Sequence, residues 1–435
     1  MKAQKNKSTV LLVFALAAAL LLSACGTAAI LASQDSDNSA GLSADNSGNV
    51  VSYVALSAEG TQSSVQSVSS SDAFSEAFSN RDLSGDYDTA EAVTVSLNGT
   101  SASASSDSVQ ISGSTVTITA AGTYILSGTL DNGSIIVNAT KDDKIQLVLD
   151  GVTIHSEAFA AIYVVQADKV FITLAEGSVN TLTNGGSFVQ IDDSDVDAVI
   201  FAKDDVTLNG SGMLVISSPA GHGIVGKDEV TITGGTYEIS SAKCAIRGKD
   251  SIAISDGTFT LKAGTDGLHA ENNDDDTLGN IYIAGGSFTI TASDDGVHAN
   301  TLLQIDGGSL SIFAAEGLEA TYIQINGGDI SISASDDGVN AAKKSSAYTP
   351  TFEMNDGTLT VVMGKGDTDG IDSNGNIIVN GGTINVTGQS SFDYDGTAQY
   401  NGGTIIVNGQ QVTTIPNQFG GGMGGNGDMG GGRRR

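Results

Sequence analysis

Residues 281–300 (IYIAGGSFTITASDDGVHAN), 303–321 (LQIDGGSLSIFAAEGLEAT) and 323–342 (IQINGGDISISASDDGVNAA) repeat one pattern. Each holds two short runs in which apolar and polar residues alternate. A Gly pair splits the runs, and an acid, a Gly, an aliphatic residue and a polar residue close the unit. A turn glycine recurs at Gly235, Gly257, Gly286, Gly308, Gly328, Gly357, Gly382 and Gly403, so most steps are 20–25 residues and two are 29. A unit this short cannot bury its own apolar face and must stack on the next one, which makes the chain a solenoid. β-branched residues in period-two alternation, with no helical spacing, make the units coils of a parallel β-helix and the fold class all-β. The two long steps contain ENNDDDTLG at 271–279 and AAKKSSAYTP at 341–350. Insertions into a repeat emerge from one face, often the functional one.

Stacking turns alignment columns into ladders, because equivalent residues of successive coils lie about 4.8 Å apart. Aligned on the closing Gly, Asp266, Asp295, Glu316, Asp337 and Asp369 form one column, and Leu268, Val297, Leu318, Val339 and Ile371 follow it pointing inward. The next column is His269, His298, Glu319, Asn340 and Asp372, and Asp294, Asp336 and Asp367 add flanking carboxylates. Neighbouring carboxylates at this spacing repel by about 1 kcal/mol even in water, and by more when partly dehydrated. A hard divalent cation relieves that repulsion, and Ca2+ accepts 6–8 oxygens in flexible geometry. Asn273, Asp274 and Asp276 of the insertion are further candidate oxygen donors. The competing reading is turn chemistry alone, since Asp-Gly is a favoured turn dipeptide.

Residues 1–25 read as a lipoprotein signal: Lys2, Lys5 and Lys7 precede the apolar run 10–22, and Leu22-Ser23-Ala24-Cys25 resembles a lipobox. Cleavage before Cys25 and acylation of its thiol would anchor the protein to an extracytoplasmic membrane surface. Residues 26–71, rich in Ser, Ala, Asn and Asp, read as a flexible linker. The solenoid is expected over 72–416. It would open with a short helix that presents Phe74 and Phe78 on one face and caps the open end. The Gly-rich residues 417–435 read as a disordered tail. A formal net charge of −31 argues against nucleic acid as a partner. With Cys25 acylated, Cys244 is the only thiol, and its place in the repeat reads as a buried structural residue. No catalytic triad or phosphate-cradling loop is present, and a monomer is expected.

The runs SNRDLSGDYD (79–88), IQLVLDGVTI (145–154), KDDVTLNGSG (203–212), GHGIVGKDEVTITGG (221–235) and DDGVHA (294–299) together resemble the bacterial carbohydrate-binding domain-containing protein family, over roughly 72–415. The resemblance implies a right-handed β-helix similar to pectate-lyase folds, bound calcium, and affinity for cellulose-like or acidic, pectin-like polysaccharide. By motif, it carries calcium ligation to Asp266, Asp294, Asp295, Glu316, Asp336, Asp337 and Asp369. His222 and Cys244 stand where later coils have the acid, which confines metal binding to the later coils.

On this reading a Ca2+ ion reconciles an acidic protein with an acidic polymer. His269, His298, Glu319, Asn340, Lys227, Arg247 and Lys249 are the candidate carbohydrate contacts. Without Trp, only Tyr237, Tyr282, Tyr322, Tyr394 and Tyr400 could offer flat aromatic surface, and each reads better as a packed surface residue than as a sugar contact. The rival function is a polysaccharide lyase with calcium and a lysine base, since Lys227 and Lys249 stack with Arg247 next to the start of the acidic column and Lys243 is close by in sequence. Surrounding carboxylates should raise a lysine pKa, the wrong direction for a base, so non-catalytic binding is preferred. A surface stalk without sugar specificity is the third reading.

Overall fold

The computed structural model describes residues 74, 76–365 and 368–417. All of them lie in the second of the two units into which the chain divides, 1–66 and 67–435. The signal segment with Cys25, the linker, Asp367 and the tail from 418 onward fall outside the described residues. Among the described residues, no helix is long and apolar enough to cross a membrane.

Period-two alternation puts every second side chain inside, and the Gly turns bend the chain twice per unit. A coil therefore carries three short strands, as in Asn280–Ile283, Ser287–Ala292 and Asp295–Ala299. Each pairs in parallel with the strand three places further on, Leu302–Ile305, Ser309–Ala314 and Glu316–Ala320 respectively. Repeated along the chain, this pairing builds long parallel sheets on three faces.

The inward columns run in register. On the first face Ile252, Ile281, Leu303, Ile323, Phe352 and Ile377 stack. Phe259, Phe288, Leu310, Ile330, Leu359 and Ile384 do so on the second. Leu268, Val297, Leu318, Val339, Ile371 and Phe392 complete the third. All are buried, and full burial of each such side chain contributes about 1.5–3 kcal/mol. Tyr237, Phe259 and Phe288 form an internal aromatic pile, with centroids 5.0 and 4.5 Å apart.

The turns stack as closely as the strands. Gly308 has φ 94°, and a Cβ there would stand 2.7 Å from the Gly286 carbonyl oxygen, so both backbone and space require glycine. Beside these turns runs an amide ladder. Asn401 donates to Asn380, Asn380 to Asn355, Asn355 to Asn326 and Asn326 to Asp306 Oδ1, each at 2.7 Å.

Antiparallel hairpins close both ends: Val93–Gly99 with Ala102–Ala104 and Val109–Ser112 with Thr115–Ile118 at the start, Thr404–Val407 with Gln410–Val412 at the finish. The short helix is present, but only as Asn80–Leu83, with a Ser79–Asp82 capping box. The expectation that it covers the open end is corrected. It lies along the first face, where Asp82 pairs with Lys169 at 2.8 Å and accepts from Thr207 Oγ1 at 2.6 Å. Phe74 stacks on Tyr282 at 4.6 Å. The outward row of this face carries Phe171, Thr207 and Tyr282, which need cover, whereas the hairpins already pair the end strands.

Candidate functional site

The second face stays open, and its outward row Thr260, Thr289, Ser311, Ser331 and Thr360 is a ladder of hydroxyls. The third face carries the charge. One outward file is Arg247, His269, His298, Glu319, Asn340, Asp372 and Asp393, in register through successive parallel pairs. The acid column lies beside it. Asp295 is in register with Glu316 and Asp369 with Ser390. Asp295 N–H donates to Asp266 Oδ1 and Asp369 N–H to Asp337 Oδ1, both at 3.1 Å. The acids thus stack along one flank. Asp294 and Asp336 sit one residue earlier and are exposed.

The stack is not electrostatically uniform. At its start Asp266 Oδ2 accepts from His269 Nδ1 at 2.8 Å and lies 3.4 Å from Cys244 Sγ. Burial and the Asp266 charge push the Cys244 thiol up to about 12. One coil on, His298 Nδ1 sits 2.6 Å from Asp295 Oδ2 and 2.7 Å from Glu319 Oε2. Burial opposes a charged ring, but the two carboxylates outweigh it and raise His298 to about 10. Lys344 reaches Glu319 Oε1 at 2.7 Å. Against the effect of burial, His298 and Lys344 together bring Glu319 down to about 2. Among the described residues, three ligand atoms converge within 4.8 Å at two places, Cys244–Asp266–His269 and Asp295–His298–Glu319.

Further along, among the described residues, Glu316, Asp337 and Asp372 form no ion pair with a cation. Burial, then Glu319, Asp295 and Asp337, push Glu316 up to about 8. Burial, Asp336, Asp369 and Glu319 lift Asp337 to about 6. Burial with Asp337, Asp369, Asp393 and Asp395 lifts Asp372 to about 7. Asn340 donates to Glu316 Oε2 at 3.0 Å, while its own Oδ1 is buried without a hydrogen-bond partner, as are Thr368 Oγ1 and Ser390 Oγ. Crowded carboxylates and orphaned neutral oxygens are all hard donors, the kind a hard divalent cation takes, although no three of these carboxylates lie within 4.8 Å of one another among the described residues. Asp372, from the column next to the acids, belongs to this group, and so do Asp393 and Asp395, which neither sequence column includes. Alignment of Phe392 with Ile371 would have found Asp393.

The insertion oxygens are engaged elsewhere. Asp274 Oδ2 pairs with Lys249 at 2.7 Å, and Asp276 Oδ2 accepts from Ser346 at 2.5 Å, so the two insertions touch each other at one corner. Asn273 and Asp274 line a groove with Lys227, Arg247, Lys249 and Glu271. Within it the argument against a lysine base fails for Lys227. Burial and the neighbouring Arg247 lower its pKa, because Asp274 turns to Lys249 and Glu271 to Arg247, at 3.1 Å. Lys249 is raised, through Asp274. Lys243 pairs with Asp197 at 2.6 Å. The tyrosines are corrected as well: Tyr237 is enclosed in the core, Tyr322 is buried, and Tyr282 lies beneath Phe74. Tyr394 and Tyr400 are half-buried near the C-terminal end.

A family model described as Carbohydrate-binding domain-containing protein matches residues 112–370 and 318–413. A carbohydrate-binding domain-containing protein of Acetivibrio thermocellus is 36% identical over 137 residues, which are 31% of this chain and 48% of that protein. The match thus spans about half the length of that relative. A solved polysaccharide lyase-like protein from C. thermocellum, a gadolinium derivative, is 30% identical with a TM-score of 0.49, covering 55% of this chain and 94% of that one.

Proposed function

Because the chain belongs to the carbohydrate-binding domain-containing protein family, we propose that it is a calcium-dependent receptor for acidic polysaccharide, without catalysis, held at an extracytoplasmic membrane surface by lipid on Cys25. The winding is read as right-handed, the hand of nearly all parallel crossovers. The observation that carries the proposal is the row Glu316, Asp337, Asp369 and Asp372, in which, on top of burial, Asp337 raises the pKa values of Glu316 and Asp372, and Asp369 those of Asp337 and Asp372. Side-chain movement between adjacent coils would bring these acids, a pair at a time and with Asn340 Oδ1, onto Ca2+ ions; Glu316 and Asp369 stand two coils apart and would not share one. Ca2+ supplies the positive charge the row lacks and leaves coordination positions for a sugar carboxylate. His269, His298, Glu319 and Asn340 line the path from this row to Lys227, Arg247 and Lys249, which attract further polymer carboxylates. The hydroxyl rows of the second face suit neutral sugar hydroxyls.

Retention on immobilised polygalacturonate tests the reading. Binding in Ca2+, loss in chelator, and loss on combined Asp337→Asn and Asp372→Asn substitution are expected. Retention that ignores both chelator and substitutions would refute it. The lowered pKa of Lys227 favours one second reading, a lyase in which Lys227 abstracts the proton beside a uronate carboxyl. Ultraviolet absorbance from unsaturated product, abolished by Lys227→Met, would establish that activity in place of simple binding.

A further inference from the structure

We propose that Cys244 Sγ, Asp266 Oδ2 and His269 Nδ1 form a site for a zinc-type divalent cation, separate from the hard-ion row further along the same face. Three different ligand types converge here: the atoms all lie within 4.8 Å of one another, with Sγ to Oδ2 at 3.4 Å and Oδ2 to Nδ1 at 2.8 Å. A tetrahedral zinc ion, with Zn–S about 2.3 Å and Zn–N about 2.0 Å, separates its ligands by roughly 3.3–3.6 Å. The Sγ–Oδ2 separation already fits that geometry, the Asp266–His269 contact has to open by about half an ångström, and Sγ and Nδ1, within 4.8 Å of each other, have to settle at about 3.5 Å.

The outer contacts are those a metal site uses. Asp266 Oδ1 is held by the Asp295 N–H at 3.1 Å, which leaves Oδ2 facing the sulfur and the imidazole. His269 Nε2 faces Glu271 Oε2 at 3.4 Å, and Arg247 fixes Glu271 at 3.1 Å. A carboxylate on the second ring nitrogen is the usual support of a metal-bound histidine. On coordination the thiol proton leaves to solvent, the neutral ring moves its proton from Nδ1 to Nε2 through exchange with solvent so that Nδ1 is free to ligate, and the Nε2–H then donates a hydrogen bond to Glu271.

The neighbouring cluster shows why the site is confined to one coil. Among the described residues the group around His298 includes no cysteine, and His298, Asp295, Glu319 and Lys344 already form a set of ion pairs at 2.6–2.7 Å. Thiolate and imidazole select borderline-soft ions over Ca2+, whereas the oxygen-only row selects the reverse. The single flank therefore sorts cations by softness along its length.

The test uses the full-length chain with Cys25→Ser, so that Cys244 is the sole thiol, in saturating Ca2+, with Co2+ as the probe. One equivalent of Co2+ should produce a thiolate-to-cobalt charge-transfer band in the near ultraviolet, displaced by Zn2+. Cys244→Ser should abolish the band, His269→Ala should weaken Co2+ binding at least tenfold, and Asp337→Asn should change neither. Absence of a band from the parent protein, or a band untouched by His269→Ala, overturns the proposal. Saturating Ca2+ keeps this result independent of the polysaccharide reading, which would survive a failure here.

Discussion

Glu316→Gln isolates the repulsion within the acid row. The substitution removes a charge and keeps an oxygen for the Asn340 amide, which now donates to Glu316 at 3.0 Å. Neighbouring unit charges at one coil spacing, about 4.8 Å, repel by about 1 kcal/mol in water and about 3 kcal/mol at an effective dielectric of 20. Glu316 is half-buried, so solvent screening brings the expected gain to about 2 kcal/mol. The sign follows from its elevated pKa, about 8 in the fold. Below the ordinary carboxylate range both states are neutral and the wild type carries no penalty. The penalty grows as pH rises through that range and is complete above 8. In chelator, Glu316→Gln should therefore melt higher than wild type at pH 8.5 and equally at pH 4, by circular dichroism. In Ca2+ the order should reverse, because the variant has lost a ligand. An apo variant that melts no higher than wild type at pH 8.5 would refute the electrostatic reasoning.

Asp82→Ala leaves Lys169 buried without its carboxylate and should lower stability by about 3 kcal/mol in denaturant titrations. The Asp82 pKa is lowered in the fold, so its contribution is present above the ordinary aspartate value and should disappear as pH falls through the folded value. The His298 ring should stay protonated across neutral pH, with an NMR titration midpoint near 10; a midpoint near 6.5 would exclude the double ion pair. His298→Gln leaves Asp295 and Glu319 facing each other and should cost about 2–4 kcal/mol at pH 7. Asn355→Ala breaks two ladder bonds and should lower stability by about 1–2 kcal/mol, read from the urea midpoint at constant m.

The spacing of the turn glycines carried the architecture, because a period-two pattern that repeats every 20–25 residues has few ways to bury itself. The same alignment places Asp266, Asp295, Glu316, Asp337 and Asp369 in one column. What it could not carry was the identity of each acid's partner. Lys344 comes from an insertion, and its reach to Glu319 depends on how that loop folds back. Lys227 illustrates the limit: counting nearby acids in sequence gives the wrong sign, since Asp274 and Glu271 turn to Lys249 and Arg247. The strap over the first face was misplaced for a related reason. Amphipathic Phe74 and Phe78 indicate that the segment needs a partner, while only the outward row of Phe171, Thr207 and Tyr282 shows where that partner lies.

The asparagine ladder has a direction. Every amide donates toward the N-terminus, and the file ends on Asp306, a carboxylate that can only accept. Each link is identical to the next, so excision of one whole coil would let Asn380 meet Asn326 through the same bond that Asn355 now makes. An odd fragment of a coil offers no such repair. The molecule is thereby a sequence in which length can change only in whole words, and its reach can be lengthened or shortened by duplication without rewriting any joint.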